Sequence, residues 1–314
     1  MNRIKTFDQF INEANGDTDL HKVYLCVDPK SGQRWLTNKG FAGSKFFIQI
    51  NLENYKDLEI NPAFPVLNYN SGVTEKLLDE GLIKSENVYN HPKYIKQSGS
   101  KEKFHKILEG DDSVPETCYS KEDAIKMGFP IIAKPKEGHS GIGIQIFKDA
   151  ESFEKADHSN FDVYSQFIDK KSEHRMFLFK GEPWFWMERN PMNDKAKSGD
   201  GDGKEQMEFK YIKHPVEKLP DNLKETAVRL SGKFDLPYIC FDLMEDQDGK
   251  VYVIESNSQP GVPFDSTVQA YKLVFKDFYG REVQEKDMQK LQEYSDYLND
   301  RTLELDPERF EIKK

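Results

Sequence analysis

Residues 238–261 read Tyr238-Ile-Cys-Phe-Asp-Leu-Met-Glu-Asp-Gln-Asp-Gly-Lys-Val-Tyr-Val-Ile-Glu-Ser-Asn-Ser-Gln-Pro-Gly261. Two short runs, one apolar and aromatic and the other alternating, flank an Asp-Gly step, which is a strong signal for a β-hairpin. The first strand carries Asp242, and the second carries Glu255 and Asn257. Side chains two apart on a strand face the same way. Glu255 and Asn257 therefore project together, and the turn brings Asp242 close.

These three side chains suit a hard cation. Two carboxylates and an amide oxygen are ligands that Mg²⁺ takes, and no soft ligand accompanies them. Asp242 lies in a run apolar enough to be buried, where a carboxylate is costly unless it is paired or metal-bound. The alternative is a surface hairpin with solvated acids. We predict that Asp242, Glu255 and Asn257 bind metal.

The succession of an Asp, a hairpin and Glu-x-Asn-x-x-Pro-Gly resembles the end of the catalytic core of the ATP-grasp ligases. The resemblance implies that Asp242, Glu255 and Asn257 hold two Mg²⁺ ions, or Mn²⁺ in their place, against the phosphates of ATP. It also implies the fold class, α+β, with two α+β subdomains gripping ATP after a small α/β pre-ATP-grasp domain.

Length and composition set the outer limits. A chain of 314 residues indicates roughly two domains, and a net charge of −10 argues against a general nucleic-acid binder. Cys26, Cys118 and Cys240 are far apart and lack metal-like spacing, so they indicate free thiols in a reducing compartment. No apolar run approaches the roughly 20 residues of a membrane span. We expect a soluble, cytoplasmic protein with neither nucleic acid nor membrane as a partner.

The first residues are a short amphipathic stretch, residues 1–13, for which a docking or frayed helix is the plain interpretation. The run Ile11-Asn-Glu13-Ala14 also resembles the capsid-targeting leaders of large tailed phages, which a prohead protease cleaves after the Glu. That resemblance implies a phage-encoded protein in the host cytoplasm, or one packaged in the virion after cleavage near Glu13.

Motifs and composition divide the chain into four segments. We predict a leader or docking segment in residues 1–18, a pre-ATP-grasp α/β domain in 19–98, the ATP-grasp core in 99–265 and a charged helical extension in 266–314. In the extension, an apolar stripe predicts a docking or dimer helix and hence a homo-oligomer contact; its members are Met288, Leu291, Tyr294 and Leu298.

The segment from residue 99 to 117 predicts a capped helix followed by Val-Pro-x-Thr. ATP-grasp cores open in a similar way, with a Lys that reaches the nucleotide phosphates. The register leaves open whether that residue is Lys101 or Lys103, and a Lys at a helix start is otherwise usually solvated.

A glycine-rich turn between two strands follows, in residues 129–147. It is not a P-loop, because no Gly-Lys-Ser/Thr follows at a helix start. A turn of this kind can fold its backbone N–H groups over phosphates; the residues concerned are Gly138, Ser140, Gly141 and Gly143. The resemblance implies that this turn is a flap over ATP and that Lys134, on the strand before it, binds the α- and β-phosphates.

The next segment resembles the family's adenine- and ribose-binding region. The resemblance implies that the backbone of Gln166, Phe167 and Ile168 hydrogen-bonds the adenine edge. It further implies that Glu173 accepts the ribose hydroxyls.

Two arginines complete the predicted site. Arg175 lies two residues after Glu173 on the same side of a strand, and a guanidinium suits phosphate because it forms bidentate contacts. Arg189 ends the following strand and matches a family position used for substrate or γ-phosphate. A surface salt bridge is the alternative role for Arg189.

The run Ser172-Glu-His-Arg175 and the metal hairpin are most similar to ribosomal-protein glutamate ligases and D-alanine–D-alanine ligases. This implies ATP-dependent joining of a carboxylate and an amine through an acyl-phosphate, with release of ADP and phosphate. The substrate would be a small molecule, an amino acid, a peptide or a protein. Two alternatives stay open: an ATP-grasp kinase that phosphorylates a hydroxyl, and a non-catalytic nucleotide-binding virion protein.

Overall fold

The computed structural model describes residues 18–20, 22–27, 46–98, 100–135, 143–193, 208–260 and 264–313. The chain divides into two compact units. The first combines residues 1–96 with 235–238 and 258–307, and the second combines 97–234 with 239–257 and 308–314. Residues 1–17, which hold the leader-like run, lie outside the described residues.

Strands and helices alternate in a mixed α/β order. The strands are β1 (Tyr24–Cys26), β2 (Ile48–Ile50), β3 (Val66–Asn68), β4 (Val88–Tyr89), β5 (Thr117–Cys118), β6 (Ile131–Lys134), β7 (Gln145–Phe147), β8 (Val163–Gln166), β9 (Lys170–Phe179), β10 (Glu182–Pro191), β11 (Phe209–His214), β12 (Tyr238–Asp246), β13 (Val251–Asn257) and β14 (Phe310–Ile312). The α-helices are α1 (Ser71–Asp79), α2 (Pro92–Ser98), α3 (Lys101–Ile107), α4 (Lys121–Met127), α5 (Ala150–Lys155), α6 (Asp221–Ser231), α7 (Ser266–Tyr279) and α8 (Glu285–Leu305). Short 3₁₀ turns lie at Ser85–Asn87 and Val216–Lys218.

The first unit contains a four-stranded parallel sheet in the order β2-β1-β3-β4. Its central strands, β1 and β3, are buried along their whole length, as expected where helices cover a parallel sheet. Helix α1 is capped by Asn70, whose side chain accepts a hydrogen bond from the Val73 N–H and so satisfies one of the unpaired N–H groups of the first turn. Val73 and Leu77 of α1 pack into the same core as Tyr24 and Ile50.

Helices α7 and α8 belong to this first unit. They bury large side chains: Tyr271 and Phe275 of α7 are fully buried. Three of the four residues of the predicted stripe on α8 are buried as well, namely Leu291, Tyr294 and Leu298. The stripe is therefore largely used within the chain, and the oligomer contact that it suggested stays a prediction.

An ionic cluster built on two buried carboxylates, Asp19 and Asp287, ties the start of the described chain to these helices. Arg281 donates to Asp19 over 2.6 Å, and the Asp19 N–H donates to the Asp287 carboxylate over 2.7 Å. The Arg281 guanidinium holds the pKa of Asp19 well below its usual range. Because Asp19 is fully buried, loss of Arg281 would leave this buried charge with Lys22, 3.1 Å away, as its remaining cationic partner.

The second unit contains two sheets. An antiparallel sheet in the order β5-β8-β6-β7 packs with α4 and α5 around a core that includes Ala124, Ile131, Phe147 and Phe153. A six-stranded sheet in the order β13-β12-β9-β10-β11-β14 packs with α6, whose Leu223, Ala227 and Leu230 are fully buried. These two sheets, each with helices packed against it, confirm the predicted α+β class. No helix in the described ranges is both long and apolar enough to cross a bilayer.

Two features of the large sheet matter below. Strand β14 joins β11 in parallel, with Phe310 opposite Tyr211 and Ile312 opposite Lys213. Between β12 and β13 the register shifts, because Asp242 pairs with Glu255 whereas Leu243 pairs with Val253. Ile254 is the extra residue of this β-bulge.

Candidate active site

The predicted hairpin is formed by β12 and β13. Its turn contains Gly249 at φ +85°, and the Asp246 carboxylate accepts hydrogen bonds from the backbone N–H groups of Asp248 and Lys250. Asp242 lies directly opposite Glu255, and Cys240 lies opposite Asn257. The three predicted metal ligands are therefore adjacent in the sheet.

Asp242 is held by two arginines from neighbouring strands. Arg175 of β9 donates from Nε and Nη2 to the two carboxylate oxygens, each over 2.7 Å. Arg189 of β10 donates from Nη1 to Oδ2 over 3.1 Å. Burial alone would raise the pKa of Asp242, but the two guanidinium groups hold it below its usual value. Asp242 is thus an ionised, buried carboxylate.

Glu173 extends this arrangement. Its Oε1 lies 2.5 Å from Arg189 Nη1, and its Oε2 lies 2.7 Å from Lys170 Nζ. Like Asp242, Glu173 is buried. The ring of Phe209 lies beneath Arg189, with the guanidinium carbon 4.2 Å from the ring centroid. We call the five charged residues the ion-pair network; its members are Lys170, Glu173, Arg175, Arg189 and Asp242.

A second cluster, the lysine pair, consists of Lys101 and Lys134. Lys101 begins α3, and its Nζ donates to the Pro135 carbonyl over 3.2 Å. Burial and the nearby charge of Lys101 lower the pKa of Lys134 to about 8. Neither lysine contacts a carboxylate among the described residues, although the charge of Glu255 acts on both. Lys103 is exposed on α3, so the geometry favours Lys101 as the lysine of the opening helix.

The glycine-rich turn falls partly outside the described ranges, as do Gly138, Ser140 and Gly141. Gly143 is described and has φ +79°, a conformation that L side chains rarely adopt. A Cβ atom at this position would also lie 3.0 Å from the Pro135 ring. A side chain at residue 143 would therefore be strained, both by the backbone angle and by the Pro135 ring.

The predicted adenine segment follows β8. The Gln166 N–H donates to the Glu116 carbonyl over 2.8 Å, and the Phe167 N–H donates to the Pro130 carbonyl over 3.2 Å. Gln166 lines a cavity of about 410 Å³ together with His105, Thr117 and Tyr252, among others. The N–H groups of Gln166 and Phe167 are therefore already paired within the chain.

The side chains present fit a hard divalent cation by type. Asp242, Glu255 and Asn257 offer oxygen donors, and the Glu255 carboxylate makes no ion pair with any described residue. The described ranges hold no group of three His, Cys, Asp or Glu side chains that could bind a metal; the predicted set has only two such residues. Both oxygens of Asp242 already accept hydrogen bonds from Arg175, so a cation would have to share or displace them.

Comparison with known proteins defines the class. The RimK-like ATP-grasp domain family matches residues 112–270, just over half of the chain, and the protein belongs to that family. No curated protein matches the chain by sequence.

Solved structures share the fold at low sequence identity. The chain is similar to D-alanine–D-alanine ligase from Bacillus anthracis, with TM-score 0.55 and 16% identity over 89% of this chain and 98% of that one. It is also similar to the ATP-grasp ligase PsnB complexed with a minimal precursor, with TM-score 0.52 and 14% identity over 77% of this chain and 91% of PsnB. A further PsnB structure, with minimal precursor, Mg and ADP, gives TM-score 0.50 and 14% identity over 78% and 92%.

Proposed function

We propose that this protein is an ATP-dependent carboxylate–amine ligase that forms an amide or peptide bond through an acyl-phosphate and releases ADP and phosphate. One observation carries the proposal: a pair of lysines without carboxylate partners among the described residues lies in the same unit as a buried arginine–carboxylate network. Such a site combines a place for a polyanion with fixed positive charge at the reacting end.

The lysine pair would bind the phosphates of ATP. Burial and the charge of Lys101 both disfavour the charged form of Lys134. A triphosphate between Lys101 and Lys134 would relieve both costs. Backbone N–H groups of Gly138, Ser140, Gly141 and Gly143 would cover the phosphates, and the backbone of Gln166, Phe167 and Ile168 would bind adenine.

Arg175 and Arg189 would act at the γ-phosphate. Phosphoryl transfer to a carboxylate needs alignment and neutralisation of negative charge more than it needs a nucleophilic side chain. Both guanidinium groups are held by buried carboxylates before any ligand binds. They would therefore stabilise the transferring phosphoryl group with little reorganisation, and Arg189 would also orient the acceptor carboxylate.

Asp242, Glu255 and Asn257 would hold Mg²⁺, as two ions, or Mn²⁺. When bound, the cation supplies further positive charge at the phosphates. Glu255 would offer its carboxylate to the cation. Arg175 would have to release at least one oxygen of Asp242 for the cation to bind it.

The similar solved structures indicate the substrate class only broadly. The ligase PsnB is described with a minimal precursor, and the B. anthracis enzyme is a D-alanine–D-alanine ligase. We therefore place the acceptor carboxylate and amine among small molecules, amino acids and peptides or proteins.

The test is ATP turnover with Mg²⁺ and pooled amino acids, peptides and polyamines, in the presence of hydroxylamine and with Glu255→Gln as control. Hydroxamate formed together with ADP, and lost in the variant, is the expected result, since hydroxylamine traps acyl-phosphates. ADP accompanied by a phosphorylated hydroxyl compound would replace the ligase with a kinase. Absence of MgATP binding would overturn both enzymatic functions and favour a non-catalytic role.

We also infer, from residues 1–14 alone, a phage-encoded protein whose leader is cleaved after Glu13. Mass spectrometry of the protein recovered from virions tests this. An N-terminus at Ala14 is expected, and an intact Met1 would contradict it.

A further inference from the structure

We propose that Glu173 is a positioning residue for Arg189, assisted by Lys170, rather than the ligand of the ribose hydroxyls that the family resemblance implies. This inference rests on the proposed function, because it assigns Arg189 to the reacting end of the site. It concerns one carboxylate, the two cations that contact it and the aromatic ring that both cations share.

Both oxygens of Glu173 already have charged partners. Oε1 lies 2.5 Å from Arg189 and Oε2 lies 2.7 Å from Lys170, and the Glu173 side chain is only 7% exposed. Hydrogen bonds between ionised groups are roughly twice as strong as those between neutral groups. A ribose hydroxyl would therefore have to displace a stronger partner, or share an oxygen that two cations already polarise.

Arg189 depends on Glu173 for its orientation. All of its hydrogen bonds to described residues run through Nη1, which lies between Glu173 and Asp242. Its Nε is buried and has no hydrogen-bond partner in the described part of the chain. The face of its guanidinium rests on Phe209. With Nη1 bridging two carboxylates and one face on a ring, the plane of the guanidinium is fixed. Of its other donors, Nε is buried, and Nη2 is left for a ligand.

Lys170 completes the arrangement from the other side. Its Nζ binds Glu173 and lies 5.5 Å from the centroid of the same Phe209 ring that Arg189 covers. Two cations on one ring would repel each other without the carboxylate between them. Glu173 therefore keeps Lys170 and Arg189 in place together, and its removal would let Arg189 turn fully onto Asp242.

The experiment measures the affinity of wild type and Glu173→Gln for ATP, 2′-deoxy-ATP and 3′-deoxy-ATP by calorimetry, together with turnover at saturating ATP. A positioning role predicts that the affinity ratios between ATP and each deoxy analogue stay within about twofold of wild type, while turnover falls by at least about tenfold. A ribose-binding role predicts that the ratios collapse towards one in the variant. That collapse would overturn the proposal.

A double-variant cycle gives a second readout. If Glu173 acts through Arg189, then Glu173→Gln combined with Arg189→Lys should lower turnover no further than Arg189→Lys alone. Effects that multiply would contradict the proposal. Lys170→Met should reduce turnover in the same direction but less. The matched control is Lys171→Met, whose ammonium is exposed and contacts Glu245 instead, and it should be neutral.

Failure of this inference can be distinguished from failure of the proposed function and from misfolding of the variant. If wild type binds ATP but forms no hydroxamate, the ligase reaction fails, while the affinity ratios still decide the role of Glu173. If Glu173→Gln does not fold, as judged by thermal unfolding, then Lys170→Met supplies the same comparison, since the Lys170 side chain is partly exposed.

Discussion

In the ion-pair network of the six-stranded sheet, each charged group contacts an opposite charge, whereas the lysine pair at α3 and β6 contacts no carboxylate among the described residues. The ion-pair network is complete without a ligand, whereas the two lysines repel each other and a bound anion would relieve that repulsion. The ion-pair network is therefore assembled before a ligand binds, whereas the lysine pair is stabilised by its ligand. Substitutions in the two clusters should therefore have opposite effects on stability.

The largest effect is expected from Asp242→Ala. The substitution leaves Arg175 and Arg189 as buried, adjacent cations, and breaking a buried pair in this way costs about 3–5 kcal/mol. Urea unfolding should show this loss, together with loss of ATP turnover. Glu255→Gln is the matched control, because it should abolish turnover but change the free energy of unfolding by less than about 0.5 kcal/mol. Equal stability of the two variants would mean that the ion-pair network does not stabilise the fold.

Lys134→Met should act in the opposite direction. The pKa of Lys134 is lowered from 10.5 to about 8, so the unfolded chain holds the proton more tightly than the folded chain. Wild-type stability should therefore rise as pH increases from 8 to 10.5, and this rise should be absent in the variant. At neutral pH the variant should be more stable by about 1–3 kcal/mol, yet should bind ATP much more weakly. Chemical unfolding across this pH range provides the measurement.

Arg175→Met tests whether Arg175 and a divalent cation compete for the Asp242 carboxylate. Arg175 occupies both oxygens of Asp242, so its removal should free the carboxylate for a divalent cation. Mn²⁺ affinity without nucleotide, followed by electron paramagnetic resonance, should rise about tenfold, which corresponds to about 1.4 kcal/mol. Turnover should fall. Unchanged or weaker Mn²⁺ binding would mean that Arg175 and the cation do not compete for Asp242.

The smallest effect concerns His105, which burial and the charge of Lys134 shift to a pKa of about 4. The unfolded chain gains this proton near pH 6.5, earlier than the folded chain. The full shift corresponds to about 3 kcal/mol, and partial exposure of the His105 ring reduces the expected loss of stability between pH 6.5 and 4 to about 1 kcal/mol. His105→Gln should remove that component. In Lys134→Met the same component should be reduced. A pH dependence that is identical in all three proteins would exclude His105 as its source.

Local sequence signals were sufficient for the hairpin. The Asp-Gly step predicted the turn, and the alternation of side chains predicted that Glu255 and Asn257 project together. The turn predicted only that Asp242 lies close to them. The bulge at Ile254 was not predictable, because an extra residue in a strand leaves no mark in a period-two pattern. The register that puts Asp242 opposite Glu255 depends on that bulge.

The ion-pair network was only partly predicted. Glu173, Arg175 and Arg189 were identified one at a time, but their contacts depend on β9 lying between β10 and β12, and pairing of strands so distant in sequence is not encoded locally. Lys170 was missed, since a lysine after a strand is usually solvated. The face of α3 was also undetermined, because lysines stand on both sides of it, at Lys101 and Lys103.

Composition did not indicate that residues 266–305 belong to the first unit. Residues 266–305 are rich in charge, and their sequence predicted a helical extension, whereas α7 and α8 are part of the first compact unit. Aromatic residues spaced along charged helices, such as Tyr271 and Phe275, give these helices buried faces. The predicted boundaries of the four segments remain predictions.

The position of β14 has a consequence for synthesis on the ribosome. The nascent chain makes β9, β10 and β11 well before residues 310–312 emerge, and α7 and α8 are made in between. Until then β11 is an open edge, which is a template for pairing with other chains. A chain that stops before residue 310 would keep that edge permanently, so we expect such fragments to need chaperones or to aggregate.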